Sequence, residues 1–210
     1  FMLGNLHGFF YVERETPYDM PELERWVLHR LAELDLVVRE GYAAFNFQGV
    51  LQQLFQFATV DLSAVYFDIR KDVLYCDRDD TLSRRSARTV LDILFDRLTT
   101  WLAPMLVFTM EDVWLQRHPG EDSSVHLRDF AETPATWLDA ELATKWDAIR
   151  KVRRVVTGAI EVQRREKVIG ASLEAAPTVY VSDVAVLEML KSIPFDDICI
   201  TSGKIGRASC

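Results

Sequence analysis

The chain has 210 residues, 49% of them hydrophobic and 27% charged, with a formal net charge of -8. That balance suits a globular protein with one sizeable core, or a larger domain joined to part of another. It excludes a protein that coats nucleic acid through overall charge, but not one that uses a local basic patch.

The charge is segregated along the sequence. Residues 150–167 hold seven cations against two carboxylates, whereas residues 121–142 hold six carboxylates against Arg128. Cys76, Cys199 and Cys210 are far apart, without metal-ligand or disulfide spacing, which reads as a reducing cytoplasm. No apolar run is long enough to cross a membrane, and no signal-peptide pattern is evident.

Residues 1–17 read as the apolar end of a preceding segment followed by a Thr16-Pro17 connector, so the chain reads as a fragment. Asp19 and Glu22 have capping-box spacing before a long amphipathic helix. Its stripe is Leu23, Trp26, Val27, Leu31, Leu34, Val38, Tyr42 and Phe45. Asn46 can cap the next helix, with Val50, Leu51, Leu54, Phe57, Ala58, Ala64 and Val65 on one face. Asp61 shares that face, which predicts a carboxylate paired inside the bundle.

After the polar break at 77–80, Ala87, Val90, Leu91, Leu94, Phe95, Leu98, Trp101 and Leu102 define a third helix. Pro104 ends or kinks it. Thr109 and Asp112 offer a cap for a short helix, and Thr136 with Asp139 offers one for a long helix buried along Leu142, Trp146, Ile149, Val152, Val156, Ala159 and Ile160. Beyond Gly170, the spacing predicts a strand at 178–181, a helix over 183–192 capped by Ser182, and a second strand at 198–201. The fold class is mainly α: an antiparallel helical bundle over 18–168, then the start of a small α/β element over 169–201. Residues 202–210 lack periodicity and read as a tail or cloning scar.

Catalytic chemistry finds little to use. His7, His29, His118 and His126 lie in unrelated segments, with His29 on an exposed helical position. There is no phosphate loop, metal-ligand array or nucleophile motif, so no catalytic residue or metal ligand is assigned. RNA recognition is better served, because bases stack on rings and phosphates meet Lys and Arg. Arg70, Lys71 and Tyr75 end one helix, Arg84 and Arg85 start the next, and Arg150, Arg153 and Arg154 form a basic turn further on. The competing reading of each is a solvated, salt-bridged helix face. Trp101, Phe108 and Trp114 have the spacing of core residues.

The run Asp61-Leu-Ser-Ala-Val-Tyr-Phe-Asp-Ile-Arg70-Lys-Asp-Val-Leu-Tyr75-Cys-Asp77 closely resembles a bacterial isoleucyl-tRNA synthetase pattern, Phe-Tyr-Phe-Asp-Ile-x-Lys-Asp-x-Leu-Tyr. Val65 stands where many of those enzymes carry an aromatic residue. Trp101-Leu-Ala-Pro-Met-Leu-Val-Phe108 and Thr109-Met-Glu-Asp-Val-Trp114 resemble a segment shared with valyl, leucyl and methionyl enzymes. Ser124-Val-His-Leu127, Val155-Val-Thr-Gly-Ala-Ile-Glu161 and Lys167-Val-Ile-Gly-Ala-Ser-Leu-Glu174 match the isoleucyl family in order.

The resemblance implies the anticodon-binding region of a class I ligase, with isoleucine tRNA as partner. It places Arg70, Lys71, Tyr75, Arg84 and Arg85 near the anticodon loop, and Arg150, Arg153 and Arg154 on the RNA backbone. It implies ATP with magnesium, and zinc in many members, as cofactors of the full enzyme, and none in this chain. Catalytic and editing domains of the same enzyme would be its other partners, in a cytoplasmic and monomeric protein. Two alternatives stay open: an anticodon module of a valyl, leucyl or methionyl enzyme, and a helical protein-interaction scaffold that binds no RNA.

Overall fold

The computed structural model describes residues 1–10, 14–202 and 207–208. The chain divides into two compact units, Phe1–Asp139 and Ala140–Cys210. Helix dominates both, so the protein is mainly α.

The first unit opens with a short turn of helix, α1 (Met2–Asn5), and continues into α2 (Glu22–Ala43). Next comes one continuous rod: α3 (Phe47–Gln56), π-helical turns over Phe57–Phe67, then α4 (Asp68–Cys76). The Asn46 side chain caps α3 by accepting from Gly49 N at 3.0 Å, as its position predicts. Three contacts fix the pairing of α2 with the rod. Gly41 lies against Val50, Arg30 reaches Asp61, and Glu24 reaches Arg70. Each step down α2 is a step up the rod, which makes the two antiparallel. Asp61 is accordingly buried and ion-paired with Arg30, Nη2 to Oδ2 being 3.3 Å.

Helix α5 (Leu82–Leu102), capped by Thr81, returns alongside α2 and carries the most buried face of the unit. Ala87, Val90, Leu91, Leu94, Phe95 and Trp101 have no measurable exposure, matching the apolar period. Pro104 lies in the break before α6 (Val107–Arg117). Trp101 and Trp114 are core residues as expected. Phe108 is not: it is 87% exposed, because α6 turns its buried face along Met110 and Trp114.

Several expected caps shift by a few residues. Pro21 begins α2 without a side-chain cap, while Asp19 lies in a preceding 3-10 turn. Helix α6 starts at Val107, which places Thr109 and Asp112 within the helix. Phe45 falls beyond the end of α2 with φ of 56°, in the left-handed turn between helices, and is exposed rather than on the stripe. His29 is buried: its Nδ1 accepts from Asp139 N at 2.8 Å, and its Nε2 lies 3.4 Å from Glu33.

The second unit is built on α7 (Ala140–Arg165), against which α8 (Val184–Lys191) and α9 (Phe195–Cys199) pack. Asp183 caps α8 through Ala185 N and Val186 N, so the cap is one residue beyond Ser182. Strand β1 (Tyr180–Val181) pairs in parallel with β2 (Arg207–Ala208). In the stretch expected as a second strand, 198–201, Ile198 and Cys199 instead end α9 and Ile200 follows as its left-handed cap. Phe195, Ile198 and Cys199 bury one helical face there, and burial overrides the strand propensity of the β-branched run. The parallel partner lies in the stretch read as a tail; residues 203–206 and 209–210 of that stretch fall outside the described residues.

Candidate nucleic-acid interface

Arg70 and Lys71 are neighbours on α4, so they point about 100° apart around the helix. That difference decides their environments. Arg70 turns inward and donates from Nε to Glu24 Oε1 at 2.6 Å and from Nη2 to Glu24 Oε2 at 2.7 Å. Glu24 is fully buried and also accepts from the Tyr66 hydroxyl at 3.2 Å. Burial first, then the Glu24 charge, raises the Tyr66 pKa well above the usual phenol value. The trio joins α2 to the rod from inside the protein. Lys71 instead projects into solvent, and Tyr75, one turn further, is 62% exposed.

The turn after α4 brings Arg84 and Arg88 beside Tyr75, where all three line a cleft of about 490 Å³. Arg84 is held 3.0 Å from Asp79 and also donates to the Asp77 carbonyl. Arg88 donates to the carbonyls of Asn5 and His7 at 3.1 and 2.9 Å. Its guanidinium also lies 4.9 Å from the Phe9 ring centre. The sequence pattern did not single out this bracing role, because Asn5, His7 and Phe9 lie about eighty residues away. Arg85 is exposed and pairs with Glu15 at 2.7 Å. Tyr75 makes an edge-on ring contact with Phe1, at 6.4 Å between ring centres.

On α7 the basic turn is divided in the same way. Arg153 is 8% exposed and donates from Nε to the Ile198 carbonyl at 2.8 Å, tying α7 to α9. Arg150 is half-buried and engaged within the protein, whereas Arg154 is exposed. The α4–α5 end thus presents an exposed ammonium, an exposed phenol ring and guanidinium groups held by partners within the protein. Such groups can meet phosphates and stack a base, and they supply no nucleophile or proton-transfer pair.

His118 packs 4.3 Å from the Trp114 ring, and His126 lies against the Val107 carbonyl. Both contacts suit structural histidines. Among the described residues no three His, Cys, Asp or Glu side chains gather as metal ligands, and no helix is long and apolar enough to cross a membrane.

Residues 24–180 match the family described as the anticodon-binding domain of tRNA ligase. The isoleucine–tRNA ligase of Ruegeria pomeroyi is 65% identical over 204 residues, covering 97% of this chain and 21% of that protein. The enzyme of Agrobacterium fabrum is 58% identical over 184 residues, 88% of this chain and 19% of its own length. That of Brucella abortus (strain 2308) is 54% identical over 185 residues, with the same coverage of 88% and 19%. The chain spans about a fifth of the length of the curated relatives it matches.

Proposed function

The chain belongs to the family of anticodon-binding domains of tRNA ligases, and from that premise we propose that it is the part of an isoleucine–tRNA ligase that holds the anticodon end of isoleucine tRNA. The observation that carries this reading is the exposed pair on α4, Lys71 and Tyr75, beside the arginines that open α5. An aromatic face and several cations at one helix end suit an unpaired loop of RNA, whose bases can leave the stack.

In this reading Lys71 and Tyr75 touch the anticodon loop, with Arg84 and Arg85 on adjoining phosphates. Arg70 and Arg153 act from behind, by fixing α4 and α7. Arg150 and Arg154 belong to a second, backbone-directed set. The protein's contribution to aminoacylation is positional: it holds one end of the tRNA so that the acceptor end reaches catalytic domains supplied elsewhere. Those domains would use ATP with magnesium. The described residues of this chain offer no donor set that fits a metal, so no step is assigned to one here.

The test is equilibrium binding of the chain to isoleucine tRNA, to the same tRNA with a changed anticodon, and to valine tRNA, at two salt concentrations. Preference for the intact isoleucine anticodon supports the reading. Salt-sensitive binding without preference moves discrimination to another part of the enzyme. Absence of binding by the folded chain overturns it.

A further inference from the structure

The inward face of the rod recurs every four residues, whereas an α-helix turns once in about 3.6. Phe57, Asp61, Val65 and Ile69 are buried at strict steps of four. Thr59, Ser63, Lys71 and Tyr75, each two residues out of step with that series, are exposed. At about 100° per residue, an α-helix drifts by about 40° at every step of four. From Phe57 to Ile69 the drift would reach about 120°. A rod wound as α throughout would lose its inward face before α4.

The π-helical turns over Phe57–Phe67 remove the drift. Bonding from i to i+5 places more residues in each turn than α winding does. Wider winding also advances less per residue, as the fall from about 2.0 Å in a 3-10 helix to about 1.5 Å in an α-helix illustrates. The span of the rod agrees. Between the Gly41–Val50 and Glu24–Arg70 contacts lie 17 residues of α2 but 20 of the rod. At the α-helical rise, the rod would overshoot by about 4.5 Å.

π winding is rare and mostly confined to single turns, often at functional sites. These 11 residues contain neither proline nor glycine. At their start the Thr59 hydroxyl donates to the Phe55 carbonyl at 2.8 Å, engaging an acceptor of the last turn of α3.

We propose that Phe57–Phe67 is a positioning element for α4: it absorbs one surplus residue, and so turns Arg70 toward Glu24 while Lys71 and Tyr75 face outward. Rewound as α, the same sequence would carry α4 about 120° further round. Arg70 would then point roughly where Lys71 points now, since neighbours differ by about 100°. Tyr75 would turn off the cleft that it lines with Arg84 and Arg88. Removing one residue subtracts about 100°, which returns α4 to within about 20° of its present direction. Exposed Ser63, near the middle of the π turns, is the residue whose loss the rod can accommodate. The positioning role rests on the anticodon-loop reading only for what α4 presents to RNA.

The experiment uses the 210-residue chain, a variant lacking Ser63, and a variant with one alanine inserted after Ser63. Each is made with and without Arg70→Ala. Thermal melting followed by circular dichroism reports the fold, and binding of an isoleucine tRNA transcript reports the outward face. The deletion variant is expected to fold and to bind RNA with an affinity close to the parent's. Arg70→Ala should lower its melting temperature as much as it lowers the parent's, because Arg70 still meets Glu24. The insertion adds about 100° that α winding cannot absorb. It should weaken RNA binding by about tenfold or more, as loss of one charged contact would. Arg70→Ala should then lower the melting temperature little further.

A deletion variant that is unfolded, or insensitive to Arg70→Ala, overturns the proposal whatever the insertion does. So does an insertion variant with parental RNA affinity and parental sensitivity to Arg70→Ala. An insertion variant that does not fold leaves the decision to the deletion variant. A parent that binds no RNA overturns the anticodon reading, while the melting temperatures still decide whether the π turns set the direction of α4.

Discussion

Arg70 closes on the buried carboxylate of Glu24 through two hydrogen bonds, Nε to Oε1 at 2.6 Å and Nη2 to Oε2 at 2.7 Å. The pair crosses from the rod to α2 at the end of the bundle that also presents Lys71 and Tyr75. An internal ion pair and an exposed cation therefore occupy adjacent positions in the chain, and substitutions at the two should have different consequences.

Arg70→Ala strands a buried carboxylate, and removing one partner of such a pair costs about 3–5 kcal/mol. Lys71→Ala removes an exposed ammonium and should change stability by no more than about 0.5 kcal/mol. Urea denaturation of the two variants checks this directly. In tRNA binding the order is expected to differ: Lys71→Ala weakens binding in a fully folded protein, whereas Arg70→Ala weakens it in step with lost structure. Equal stability loss at both positions would refute the division of roles.

Tyr66 carries a prediction about pH. Its folded-state pKa is raised, so the native protein holds the phenol proton more tightly than the unfolded chain does. The associated stability is present in full below the ordinary tyrosine value of about 10 and falls as pH rises beyond it. Tyr66→Phe loses the hydrogen bond to Glu24, at a cost of about 1–2 kcal/mol near neutrality. Its stability should then decline less steeply than the parent's above pH 10. Denaturant midpoints measured from pH 8 to 11 give both slopes.

At Gly41, α2 lies directly against Val50 of α3. A Cβ placed there would lie 2.4 Å from Val50 Cγ2, and valine has little freedom to turn away. Gly41→Ala gains about 1 kcal/mol of helix propensity but incurs an overpacking cost of about 1–3 kcal/mol. A net loss of about 1 kcal/mol is expected. The double variant Gly41→Ala/Val50→Ala should relieve the clash, and a cycle through both single variants measures the coupling.

Lys167 lies just past α7 with φ of 59°, donating to the Arg164 carbonyl at 3.0 Å while Val168 donates to Gln163 at 3.0 Å. This is the helix-ending geometry that glycine adopts without strain. Lys167→Gly should raise stability by about 1 kcal/mol, since left-handed backbone costs other residues about that much. A raised denaturant midpoint with unchanged helix content is the expected result.

The sequence by itself determined the helical class, the order of the helices and their buried faces, because an apolar residue every three or four positions can satisfy only one face of a helix. It also determined the Asn46 cap, whose hydrogen bond closes within three residues. The Asp61 pairing was legible in kind, since a carboxylate on an apolar stripe requires a partner, although Arg30 could not be named. Beyond that, the deciding groups are distant in the chain. Arg70 and Arg153 read as surface cations, yet Glu24 and the Ile198 carbonyl draw them inward. Phe108 reads as core and lies in solvent, and residues 198–199 read as strand and bury as helix. Local pattern sets which side of a helix is apolar. Tertiary structure sets what stands opposite a charge, and so whether that charge is spent inside the protein or left for a ligand.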